Sequence, residues 1–164
     1  MIAARSFSGF ALTVVTIWFA LAQAAAGEKP WATSSNPRFG TTADYPADVF
    51  TAQDPPPENG DGTTFRTADG RAQLAIYGAY NVDNDTPASY LAKYEELSSA
   101  AYKRVTTEFY AVSGTTGADI YYDRCNFPPH NDDILNCIHV VYPARERAFF
   151  DPIVTRISKS LRSG

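Results

Sequence analysis

The sequence predicts an α+β fold, a mostly antiparallel sheet flanked by helices in the order β-β-α-β-β-β-β-α. Three observations predict it. Short apolar runs are separated by turn-forming residues such as Asp69-Gly70, two stretches repeat apolar residues at three- and four-residue spacing, and the hairpin-length connections require antiparallel neighbours. Composition agrees with a folded chain. Of 164 residues, 45% are hydrophobic, 20% charged and 13% aromatic, which excludes a disordered polyelectrolyte. The formal charge of -4 disfavours binding driven by phosphate neutralisation, so no nucleic-acid partner is expected.

Residues 1–26 read as a signal peptide. Arg5 supplies the positive start, Phe10 to Ala22 is an uncharged apolar run, and Gln23 to Ala26 ends in small residues. Cleavage after Ala26 fits the small-x-small rule, with cleavage after Ala24 as the rival. An uncleaved anchor is the other alternative, since Phe10 to Ala26 reaches the lower limit of a spanning helix, roughly 17 residues. Thr13, Thr16 and the early alanines weaken it. The expected product is exported, periplasmic or secreted, with no stable membrane insertion after cleavage.

Residues 27–62 form a Pro-rich N-terminal segment, expected to be partly flexible. It holds Pro30, Pro37, Pro46, Pro55, Pro56 and Pro57, more than half of the 11 prolines, among Ser, Thr, Asn and Asp. Gly27 to Asp44 reads as a linker. Asp48 to Ala52 reads as an edge strand docked on the C-terminal domain, because Val49 and Phe50 have apolar surface to bury.

Residues 63–164 read as a single α+β domain. Thr63–Thr67 and Arg71–Gly78 are strands joined by Ala68-Asp69-Gly70, whose Asp-Gly pair supplies the positive φ of a tight turn. Thr86-Pro87 is an N-cap followed by proline at the first helical position, and Tyr90, Leu91, Tyr94 and Leu97 share a face, so a helix runs from Pro87 to about Ser98. Strands come next at Tyr102–Thr106, Glu108–Ser113, Ala118–Phe127 and Ile134–Tyr142. Pro143 starts a short helix, and Asp151-Pro152 reads as the cap of a second one with Ile153, Ile157 and Leu161 in a stripe.

That order, with Tyr121-Tyr122-Asp123-Arg124-Cys125, Tyr142-Pro143-Ala144 and the segment from Asp151 to Leu161, resembles small uncharacterised exported bacterial proteins with a PsbP-like fold. The resemblance spans Gly60 to Arg162. It implies an antiparallel sheet flanked by helices, used in several relatives as a non-catalytic docking module. No residue here matches the metal-linked residues of the photosynthetic relative, so none is carried over.

Cys125 and Cys137 stand twelve positions apart on two predicted strands. An antiparallel pairing centred on Asn131 sets them opposite each other, within disulfide reach, and an exported compartment permits oxidation. A reactive or metal-binding pair is the alternative, but the spacing is unlike C-x-x-C. The same register sets Asp123 opposite His139. A carboxylate beside an imidazole is the pairing a general base uses, with Arg124 available to stabilise an anion. The plainer reading is a cross-strand polar pair on the more exposed face, since no nucleophile is placed beside it.

Other clusters carry weaker signals. His130, Asp132 and Asp133 offer three ligands on one loop without a fixed fourth, so a metal there competes with a solvated hairpin tip. Asn59-Gly60-Asp61-Gly62 lacks the spacing of an EF-hand loop, and Gly114-Thr115-Thr116-Gly117 lacks the lysine of a phosphate loop. The aromatics at 102, 109, 110, 121 and 122 read as sheet core or as a stacking platform. Arg145, Arg147, Arg156, Lys159 and Arg162 read as helix-end solvation or as a contact for an acidic partner or an anionic membrane surface. The resulting expectation is an exported non-catalytic module docking on an unknown envelope or extracellular protein, with no cofactor and no metal. The alternatives are a small-molecule or metal carrier and a hydrolase using Asp123 and His139.

Overall fold

The computed structural model describes residues 30–94 and 100–164. The signal reading for residues 1–26 and the end of the expected helix beyond Tyr94 lie outside the described residues.

Strands β1 (Trp31–Asn36), β2 (Thr41–Pro46) and β10 (Arg162–Ser163) form a three-stranded sheet in the order β1-β2-β10. Strands β3 (Ala52–Gln53), β4 (Gly62–Arg66), β5 (Gln73–Tyr80), β6 (Tyr102–Val105), β7 (Phe109–Thr116), β8 (Asp119–Asn126) and β9 (Ile134–Pro143) form a seven-stranded sheet. Its order is β3-β4-β5-β9-β8-β7-β6, and each pairing is antiparallel. Helix α1 (Pro87–Lys93) comes after β5 and helix α2 (Arg147–Ser160) after β9. The α+β class and the mostly antiparallel sheet are as the sequence predicts.

Local chemistry sets the connections. Gly70 turns β4 into β5 at φ 70°, and the Asp69 carboxylate accepts from the Arg71 amide and the Thr67 hydroxyl. Thr86 caps α1 by accepting from the Ser89 amide, Ser89 returns the bond to the Thr86 amide, and Pro87 occupies the first turn. Gly117, at φ 60°, closes the β7–β8 hairpin.

The large sheet buries apolar side chains on both faces. On one, Phe65, Leu74, Ile76, Ile120, Ile138, Val140 and Tyr142 pack against Phe150, Ile153, Val154 and Ile157 of α2, with Ala43 and Phe50 closing the end. On the other, Leu91 of α1 joins Tyr110, Val112, Leu135, Phe127 and the cysteines. The period of two along β8 and β9 therefore serves two cores at once.

Three expectations change. The stretch read as a linker holds β1 and β2, because Thr41 and Ala43 are buried, Asn136 of β9 donates to Thr41 Oγ1 and the Phe39 carbonyl, and Ser160 Oγ accepts from the Asp44 amide. Long-range partners order a segment whose local composition is that of a loop. The strand expected at Asp48–Ala52 is a turn, with the Val49 and Phe50 amides donating to the Pro46 carbonyl, and pairing begins only at Ala52. Asp151 does not cap a separate helix: α2 starts at Arg147 and continues through Pro152. Phe150, fully buried, anchors that first turn, and the Asp151 carboxylate accepts from Tyr142 Oη at 2.7 Å and Arg147 Nε at 3.0 Å instead of capping.

Candidate functional site

Strands β8 and β9 pair in the register centred on Asn131, with Cys125 opposite Cys137 and Asp123 opposite His139. The two cysteines form a disulfide, buried beneath α1, whose Cys125 sulfur accepts from the Tyr110 hydroxyl at 3.2 Å. Asp123 Oδ1 and His139 Nδ1 are 2.7 Å apart, and this contact holds the imidazole above its ordinary pKa against the opposing effect of burial. Ile120, Tyr122, Ile138, Val140 and Tyr142 occupy the opposite face of the sheet. Neither Asp123 nor His139 lines the cavities of 580, 410 and 280 Å³.

His130, Asp132 and Asp133 occupy the exposed β8–β9 loop, whose Asp132 and Asp133 carbonyls accept from Asn81. No group of three or more His, Cys, Asp or Glu side chains suited to a metal ion occurs among the described residues. The Asn59–Gly62 stretch is tied down by protein groups: Asn59 Nδ2 donates to Asp61 at 2.7 Å, the Asn59 and Gly60 carbonyls accept from Arg38 and Asn36, and the Asp61 carbonyl accepts from the Gly78 amide.

A second concavity lies where the sheet runs past α2. Residues two apart on β6 and β8 point to the α2 face, so Tyr102 and Arg104 stand along one side and Tyr122 and Arg124 along the floor. Between them β7 contributes the small Ala111 and Ser113, with Phe109 at the end of the strand, and Val154, Thr155, Ser158 and Lys159 of α2 form the far wall. The result is a groove of about 410 Å³. It continues into the 580 Å³ depression near the β8–β9 loop, with Phe109 and Arg124 lining both.

Charge is concentrated in this groove. It carries Arg104, Arg124, Arg147 and Lys159 against one acid, Asp151. The Asp151 carboxylate is already engaged by Tyr142 and Arg147. Arg104, Arg124 and Lys159 have no carboxylate partner among the described residues. Arg124 is half-buried, and desolvation lowers its pKa from the ordinary guanidinium value without removing its charge. Its Nε donates to Asn126 Oδ1 at 3.0 Å, its Nη1 donates to the Ser158 carbonyl at 3.0 Å, and its guanidinium carbon lies 4.1 Å from the Phe109 ring centre. Arg104 approaches the same ring at 5.3 Å. Tyr122 Oη and Ser158 Oγ share a hydrogen bond at 2.7 Å, and burial raises the Tyr122 pKa.

The aromatics read together in the sequence separate here. Tyr102, Phe109 and Tyr122 line the groove, whereas Tyr110 and Tyr121 pack with the core beneath α1. The C-terminal cations separate too. Arg147 and Lys159 reach the groove, Arg156 stacks 3.9 Å over the Trp31 ring, and Arg162 pairs with Asp44 at 3.7 Å. Arg104 lies outside the basic cluster legible in the sequence, and Arg124 enters there within the Tyr121–Cys125 motif and as an anion stabiliser beside Asp123 and His139, whereas the structure turns it to the opposite face of the sheet from that pair. The i,i+2 pairs Tyr102/Arg104 and Tyr122/Arg124 are the signal that places both.

An antiparallel sheet with a C-terminal helix laid across one face and a short helix across the other defines an α+β architecture of the PsbP-like type. The solution structure of cyanobacterial PsbP (CyanoP) from Synechocystis sp. PCC 6803 superposes with a TM-score of 0.53 at 12% sequence identity, covering 85% of this chain and 96% of that one. This likeness is one of fold. No family model and no curated protein matches the sequence.

Proposed function

We propose that this chain is an exported, non-catalytic module that docks on an envelope or extracellular protein through the groove between α2 and strands β6 to β8. The observation that carries the reading is Arg124. A guanidinium held half out of water by Ser158, Asn126 and Phe109, with no carboxylate of its own, is costly to maintain unless an anion from outside completes it. The signal-like N-terminus and the disulfide support an extracytoplasmic setting.

Site-specific photo-crosslinking tests this reading. Thr155, exposed on the α2 wall of the groove, is replaced by a photoreactive residue, and Gln53 on the far sheet edge serves as the control. A discrete adduct from Thr155 in the exported fraction, absent from Gln53, is the expected result. Equal or absent adducts at both positions would reject docking through this face.

A further inference from the structure

We infer that the groove recognises an extended acidic segment of its partner, whose carboxylates sit on Arg124, Arg104 and Lys159; the inference rests on the docking reading above. Charge complementarity is the first argument. Three cations without carboxylate partners line one open groove in a protein whose formal charge is -4, so its field there is opposite in sign to that of the molecule as a whole.

The second argument is the way Arg124 is held. Asn126 and Ser158 fix Nε and Nη1, the Phe109 ring supports the plane, and Nη2 has no hydrogen-bond partner among the described residues. A fork already ordered loses little side-chain entropy on meeting a carboxylate, and its partial desolvation strengthens the contact. The buried Ser158 that does this positioning also bonds Tyr122, which ties the fork to both the sheet and α2.

Shape supplies the third. The 410 Å³ groove, which carries the cations, adjoins the 580 Å³ depression, which adds the acid Glu108, and the two open concavities share Phe109 and Arg124 along one trough. An extended peptide fits such a trough because it exposes side chains along its length and lets several carboxylates engage cations on both walls. Phe109, Tyr122 and Val154 offer apolar surface to the chain between those contacts.

The test titrates the ¹⁵N-labelled protein, as isolated from expressing cells, with acetylated hexaglutamate, hexaglutamine and phosphatidylglycerol vesicles. Hexaglutamate is expected to shift amides of β6 to β8 and of α2 around Thr155, to bind about tenfold more tightly than its neutral isostere, and to weaken steeply with salt. R124Q and R104Q are each expected to weaken it about fivefold, and R104Q alters a side chain exposed to solvent, so its fold is preserved. Equal affinity for hexaglutamine, shifts confined to another face, or binding of vesicles without hexaglutamate would each overturn the inference. If those results accompany a persistent Thr155 adduct, the partner chemistry is wrong and docking stands. Loss of the adduct as well removes both.

Discussion

Replacing both cysteines by alanine should cost the fold about 3 kcal/mol. The bridge joins residues separated by 12 positions, and closing a loop of that size lowers the entropy of the unfolded chain by an amount worth about 3 kcal/mol at room temperature. The sulfur also accepts from Tyr110, whose hydroxyl is buried, and a neutral hydrogen bond of this kind contributes about 1 kcal/mol or less. The assay is urea unfolding followed by circular dichroism on C125A/C137A, with Y110F as the control that removes only the hydroxyl. With a slope of about 1–3 kcal/mol/M, the midpoint should fall by about 1–3 M while the Y110F midpoint moves much less. Because β8 and β9 are central strands, a loss of this size is a large part of a typical domain's stability. A loss below about 1 kcal/mol at unchanged slope would mean that the bridge constrains nothing in the unfolded chain.

Two further outcomes rest on single contacts. The Asp123 contact raises the His139 pKa above 6.5, so its contribution to stability is complete below that value and is lost as pH rises through the higher folded value. The melting temperature should therefore fall between about pH 6 and pH 8 in the native protein relative to H139Q, and a rise across that window would contradict the pairing. At Gly78 an added Cβ would lie 2.2 Å from Phe39 Cβ and 2.4 Å from its Cγ, so G78A should destabilise by about 1–3 kcal/mol, as read by chemical unfolding. Unchanged stability would show that the β1–β2 turn is not packed on β5.

The hairpin of β8 and β9 was legible because two independent signals, strand alternation and the cysteine pair, require one register. The capping residues of α1 were legible because Thr86, Pro87 and Ser89 act within one turn. The three-stranded sheet was not. Pro37 lies in the β1–β2 turn and Pro46 ends β2, so neither interrupts the interior of a strand, and the groups that order Thr41 and Asp44 come from Asn136 and Ser160, far along the chain. The start of α2 was obscured by Pro152, whose local preference is overridden by the burial of Phe150. The groove depends on tertiary arrangement to a still greater degree. Small residues at 111 and 113 hollow it only because the longer side chains of β6 and β8 flank them, and the basic cluster counted along the C-terminal segment contains three cations, Arg145, Arg156 and Arg162, that do not line it.

The central claim is that the charge of the groove, and not merely its shape, brings the partner to this face. Its most direct test is the yield of the Thr155 photo-adduct in R104E/K159E, two exposed positions whose reversal leaves the core untouched. The adduct should fall at least about fivefold with an unchanged unfolding midpoint. An undiminished adduct in that folded variant would contradict the claim.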